Sequence, residues 1–197
     1  MRKESKLKHL FVSLMILGCS FGYTACSSDD DPAKEPALTD VYGEYSGKMV
    51  TNMSTYAALS ESTETGIDIT ATVNNDTVSF AKFPVDGIIQ AVVPEGAEAI
   101  IENLGDIKYV IEYEAEFNAA KDSIFMTFAP EPLELFIPIG GSIIPTIVKV
   151  EVSADTKGKY AIDDKNLIFA IKATSVTVNG TVIPFPETQF IFNMNKK

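Results

Sequence analysis

Ile107-Lys108-Tyr109-Val110-Ile111-Glu112-Tyr113-Glu114-Ala115-Glu116-Phe117 is the stretch that decides the fold class. Successive side chains of a strand point to opposite faces. Here Ile107, Tyr109, Ile111, Tyr113, Ala115 and Phe117 fall on one face, and Lys108, Glu112, Glu114 and Glu116 on the other. An apolar period of two argues against an amphipathic helix. The stretch predicts an antiparallel strand with one side on a core and the other in water.

The same period recurs on both sides of it. Ile67, Ile69, Ala71 and Val73 alternate with Asp68, Thr70 and Thr72, and Asn74-Asn75-Asp76 turns the chain into residues 77–83, which makes a hairpin. Tyr45, flanked by Gly43 and Gly47, reads as the first strand. Further strands are expected at 123–128, 133–139, 147–152, 167–173, 176–178, 181–185 and 189–194, with Asn179-Gly180 as a tight hairpin turn. Residues 85–104 depart from this rhythm. Ile88, Ile89, Val92 and Val93, then Ala97, Ile100, Ile101 and Leu104, recur at helical intervals around Pro94, so two short helices are expected there. The expected fold is mainly β: a single antiparallel domain, either a distorted barrel or a curved sheet, with a short two-helix insertion near 85–104.

The first residues follow a different chemistry. A basic start (Arg2, Lys3, Lys6, Lys8) precedes the apolar run Leu-Phe-Val-Ser-Leu-Met-Ile-Leu at 10–17. That order is a secretory signal, and the run is far short of the roughly 18–20 residues needed to span a bilayer. The signal ends Gly22-Tyr23-Thr24-Ala25-Cys26, which resembles the lipobox of bacterial lipoproteins. Cys26 is preferred as the lipid-attachment site over Cys19, where bulky Leu17 stands at a position that usually takes a small residue. Residues 1–25 are therefore expected to be a lipoprotein signal peptide and 26–40, with Asp29-Asp30-Asp31, an acidic flexible tether. The mainly β domain would occupy 41–197. Two or more acyl chains anchor stably, so the domain would be tethered to a membrane. The resemblance to bacterial lipoproteins implies the outer membrane, on its periplasmic or cell-surface side. An acidic run beside the lipidated cysteine also resembles the export signal of surface lipoproteins in the Bacteroidetes.

Charge and rare residues exclude whole chemistries. The chain has 16 Lys and Arg against 27 Asp and Glu, a net charge of -11. Loss of residues 1–25 would remove four cations and Glu4, leaving the mature protein near -14. Such a surface repels nucleic acid. Arg2 is the sole arginine and His9 the sole histidine, and tryptophan is absent. Beyond residue 26 there is no imidazole for a Ser-His-Asp or Cys-His relay, nor a guanidinium to clamp phosphate. Neither disulfide, metal nor cofactor is expected in the folded domain.

Tyr42-Gly43-Glu44-Tyr45-Ser46-Gly47 opening the fold, Phe83-Pro84-Val85-Asp86-Gly87-Ile88-Ile89 before the helical stretch, and the tyrosine-rich strand after it resemble Bacteroidetes lipoproteins classed as domain of unknown function 4840. That resemblance implies no activity and carries over no catalytic residue. The Gly-x-Tyr-x-Gly start is also similar to the first strand of calycin-like β-barrels, a likeness that implies a ligand cup.

Three groups of residues are candidates for function. Glu112, Glu114 and Glu116 are spaced by about 7 Å along one strand face, which suits glycosidase carboxylates or a weak calcium site, but they lie where solvated acids belong. Phe136, Ile137, Ile139, Ile143 and Ile144 belong to a segment apolar on both faces, which reads either as core or as a lip for an apolar ligand or a partner strand. Asp76-Thr77-Val78 and Asp122-Ser123-Ile124 resemble the Asp-Ser/Thr-apolar acceptor of Bacteroidetes O-glycosylation, at Thr77 and Ser123. The expectation is a lipid-anchored, non-catalytic envelope module that binds an apolar ligand or another protein. A carboxylate-dependent, glycosidase-like hydrolase and a structural accessory of an envelope complex are the alternatives.

Overall fold

The computed structural model describes residues 35–53, 66–93, 95–137 and 145–197. Cys26, the leader, most of the tether, Pro94, and Ile139, Ile143 and Ile144 of the apolar segment lie outside the described residues. Residues 35–197 form one compact unit. No helix among the described residues is long and apolar enough to cross a membrane.

A 3-10 turn at Leu38–Val41 leads into β1 (Gly43–Met53), β2 (Ile67–Val73) and β3 (Thr77–Phe80). Helices α1 (Asp86–Val92) and α2 (Ala97–Leu104) follow, then β4 (Tyr109–Phe117), β5 (Ser123–Pro130), β6 (Leu133–Ile137), β7 (Thr146–Ser153), β8 (Gly158–Ala161), β9 (Asn166–Val178), β10 (Thr181–Ile183) and β11 (Thr188–Lys196). Pairing runs β11-β1-β2-β3-β4-β5-β8-β9, and β9 pairs back onto β11, so eight antiparallel strands close into a barrel. Closure gives each of these strands a partner on both sides over at least part of its length. Between the barrel and curved-sheet alternatives, it is the barrel that forms.

The remaining strands extend that wall. Strands β5 and β6 run in the same direction, separated by two residues, and β7 and β8 pair successive parts of one edge of β9. Together β6, β7, the far end of β9 and β10 make a tongue of sheet that continues beyond the barrel. Where tongue meets barrel, Glu151 faces Ser175 but Val152 faces Ala173, so Thr174 is an extra residue in β9. A bulge of this kind bends a strand and shifts its phase. Leu167, Phe169, Ile171 and Ala173 point inward before it and Val176 after it. This is why the sequence, with its change of phase at 174, reads as two strands where one runs through. Strand β8 was not legible at all: Gly-Lys-Tyr-Ala carries only Tyr160 as a large apolar anchor, and its strand conformation comes from the partners on both sides. The two predicted helices form where expected.

Aromatic side chains fill the barrel. Phe169 stacks on Phe128 and on Phe192, each pair with ring centroids 4.5 Å apart. Phe192 meets Phe80 at 5.3 Å, and Phe80 meets Phe83 edge-on at 5.6 Å. Rings at these spacings gain contact energy beyond their buried area. Tyr45, Met49, Ile111, Met126 and Leu167 complete the interior, all at most 2% exposed. Two glycines let the wall close around them. A Cβ on Gly47 would stand 2.1 Å from the Asn193 carbonyl oxygen and 2.6 Å from the Met194 Cα, and one on Gly158 would strike the Phe128 ring.

Tyrosine hydroxyls secure the ends. At the end where β1 begins, the 3-10 turn places Val41 in the core, and Tyr45 donates to the Val41 carbonyl at 2.5 Å. Tyr113 donates to the Asn74 carbonyl at the same end, and Tyr109 to that of Glu131 at the other. No buried side-chain nitrogen or oxygen among the described residues lacks a hydrogen-bond partner.

Candidate binding cleft

The hairpin joining β2 and β3 sets up the site. The Asn74 N–H donates to the Thr77 carbonyl at 2.9 Å across the two-residue loop Asn75-Asp76. Hydrogen-bonded and non-bonded pairs alternate along an antiparallel ladder. Thr72 opposite Ser79 is therefore the next bonded pair, and the peptide groups of Thr70 and Asp68 point the same way. Pairing stops at Thr72, however. Residue 81 onward follows β4 instead, with Phe83 N–H donating to the Ile107 carbonyl at 2.7 Å. No strand among the described residues lies beside the 67–71 edge of β2 on that side, while its other edge is paired to β1 throughout.

The helical pair spans this opening without filling it. A cleft of about 820 Å³ remains between the β2 edge and the 82–106 segment. Its apolar lining comes from Ile69, Phe83, Val85, Ile89, Ile101 and Leu104. A smaller apolar pocket of about 180 Å³, lined by Met49, Ile88, Phe185 and Phe190 among others, adjoins it and shares Ile67, Pro84 and Asp86. Both volumes together suit a ligand site, which is characteristically concave, mostly apolar and marked by a few polar groups.

Six charged side chains ring the cleft: Lys48, Asp68, Lys82, Asp86, Glu102 and Asp106. Lys48 pairs with Asp68 at 2.6 Å and Lys82 with Asp106 at 3.3 Å, all four well exposed. No ion pair joins Asp86 or Glu102 to a cation among the described residues, so the rim has an excess of two negative charges. Asp86 opens α1 and Glu98 opens α2, where carboxylates favour the positive end of a helix.

The residues singled out from sequence lie elsewhere. Glu112, Glu114 and Glu116 sit on the outer face of β4, all exposed, with Glu116 paired to Lys157. No group of three or more metal-ligating side chains occurs among the described residues. In the tongue, Ile137 is fully buried, whereas Phe136 is 56% exposed and faces Ile147 on the neighbouring strand. One part of the apolar segment is therefore core and the other is surface. Thr77 is half-buried at the start of β3; Ser123 is buried, its hydroxyl donating to Asp122, whose carboxyl is held below the usual range by that bond and by one from Asn118. The cleft itself had one sequence signal, the helical spacing at 85–104, which marks an element lying over the sheet but does not reveal the unpaired edge beneath.

The strongest electrostatic displacements belong to the core. Burial pushes the hydroxyls of Tyr45, Tyr109 and Tyr113 well above the ordinary tyrosine range, reinforced by Tyr160 beside Tyr45, by Glu131 beside Tyr109, and by Tyr42 and Asp76 near Tyr113. These groups hold protons in place and take no part in the cleft.

A family model described as Domain of unknown function (DUF4840) matches residues 40–178. The chain belongs to the DUF4840 family. The DUF4840 match takes in both helices, the cleft and nine of the eleven strands, and ends before β10 and β11, the latter closing this barrel. No curated protein and no solved structure matches the chain.

Proposed function

We propose that this DUF4840 protein is a non-catalytic binding module, held at the cell envelope by a lipid on Cys26, and that the cleft between β2 and the helical pair is its binding site. The observation that carries this reading is the place where the wall opens. The cup that a calycin-like barrel would offer is occupied by Phe80, Phe128, Phe169 and Phe192, so the space for a ligand lies beside the barrel, in the gap left by β2 and β3.

Catalysis by carboxylates has less support. A general acid working near neutral pH needs a carboxyl in desolvated surroundings that raise its pKa. The acids on β4 and around the cleft stand in water.

Two measurements test the reading. Labelling of the native host with a fatty-acid probe should mark the protein, and Cys26→Ser should abolish both the label and membrane retention. A photo-crosslinking residue in place of Ile101, in the cleft, should form an adduct in intact cells; the same residue at Val182, on the tongue, serves as the control. Adducts from Val182 alone would move the site to the tongue, and a protein unlabelled by lipid would remove the anchor.

A further inference from the structure

We infer that the occupant of the cleft is an extended peptide that adds a strand to the open edge of β2 and places a lysine or arginine against Asp86 and Glu102. This rests on the reading of the cleft as a binding site and names what it binds. The backbone supplies the first argument. Asp68 and Thr70 each present an N–H and a carbonyl to the cleft, two residues apart, which is the repeat with which a strand meets its partner. A small molecule has no need of that repeat; an extended main chain matches it, as in recognition by strand addition. The open edge of five residues is about 17 Å long at about 3.4 Å per residue, enough for a peptide of similar length.

The far wall supplies the second argument. A peptide lying along β2 would have the partly exposed apolar side chains Ile101 and Leu104 on one flank, over the buried Phe83 and Ile89, and the rim charges on the other. Lys48 and Lys82 are already matched by Asp68 and Asp106. The unmatched carboxylates of Asp86 and Glu102 therefore set the preferred sign, and a cationic side chain complements them where an acidic one meets repulsion. Alternation follows from strand geometry: an apolar residue toward the wall, then a polar or basic one toward the rim.

The test uses the full chain in detergent micelles and a capped octapeptide of alternating valine and lysine, with the valine–glutamate octapeptide and an alternately N-methylated valine–lysine octapeptide as comparisons. Hydrogen exchange at the Asp68 and Thr70 amides is followed together with fluorescence-polarisation binding. The valine–lysine peptide should bind and slow exchange at both amides at least tenfold. N-methylation, which removes its main-chain donors, should weaken binding at least tenfold, and the valine–glutamate peptide should not bind. Thr70→Pro deletes a donor facing the cleft and none facing β1, so it should lower affinity by a similar factor. Should that variant fail to fold, the N-methylated peptide still decides the matter. The pair Asp86→Lys and Glu102→Lys should invert the preference toward the glutamate peptide.

Binding without protection at Asp68 and Thr70, or equal binding of the N-methylated peptide, would overturn strand addition and leave the cleft a site for another ligand. Protection that grows with protein concentration and no peptide would overturn it in favour of a second copy of this chain. A lipid or sugar adduct at Ile101 would overturn the peptide and keep the site, whereas no adduct there at all would remove both.

Discussion

Two seams of the same barrel behave differently. Between β1 and β11 the ladder runs through nine consecutive pairs, from Tyr45 opposite Lys196 to Met53 opposite Thr188. Between β2 and β3 it holds for two, Thr72 opposite Ser79 and Val73 opposite Val78, and then parts. The first seam brings the backbones so close that Gly47 has no room for a side chain. The second leaves residues 67–71 of β2 without a neighbouring strand on that side among the described residues, and two helices stand over the gap. One seam can part because the rest of the wall and a close-packed interior hold the fold. The cleft occupies the interruption.

The largest expected effect comes from alkali, which attacks the filled interior on which both seams depend. Tyr45, Tyr109 and Tyr113 keep their protons in the folded state at a pH where the unfolded chain, with tyrosines near 10, has begun to lose them. The folded state then binds more protons than the unfolded one, so stability is full below about pH 10 and falls above it, by about 1.4 kcal/mol per pH unit for each such tyrosine. Denaturation midpoints should be flat from neutral pH to about 9 and drop steeply beyond about 10.5, with tyrosinate absorbance appearing together with unfolding. Tyrosinate absorbance rising while the folded signal persists would mean that these hydroxyls are not sealed.

The next effect separates the seams directly. Gly47→Val should cost about 3 kcal/mol or more, since the new atoms meet backbone and not a movable side chain. In the open seam, Thr70→Pro should cost about 1 kcal/mol or less, because the lost donor faces no strand and proline is tolerated along such an edge. Chemical denaturation of the two variants checks both values. Equal losses would show that the two seams carry the same load. Smallest of all, Glu116→Gln breaks an exposed ion pair with Lys157 on the outer face and should stay within about 0.5 kcal/mol of the parent. A loss several times larger would give that acidic face a structural role that its exposure does not suggest.

Strand by strand, legibility in the sequence follows how much of each element's pattern is local. The stretch around Tyr109–Phe117 announces itself because one face is continuously apolar, and α1 with α2 because their period is helical. Gly158–Ala161 is silent, because four residues with one large anchor hold no pattern of their own; β5 and β8 pair because the closing barrel brings them together. Residues 166–178 read as two strands because the bulge at Thr174 reverses the phase. The acids on β4 and the exposed Phe136 are visible in the sequence as types of residue, and the structure puts both on surfaces apart from the cleft.

By itself the sequence determined the mainly β class, the two-helix insertion and the chemistry that residues past 26 lack, since composition and side-chain period are properties of the chain alone. Tertiary structure alone decided that the sheet closes, that aromatic rings fill its interior, and that β2 parts from β3 to open a cleft. The physical reason is that closure and opening are outcomes of competition between distant strands for the same backbone hydrogen bonds. Residue 81 follows β4 and abandons β2 because of where β4 lies, and nothing near residue 81 in the sequence records that.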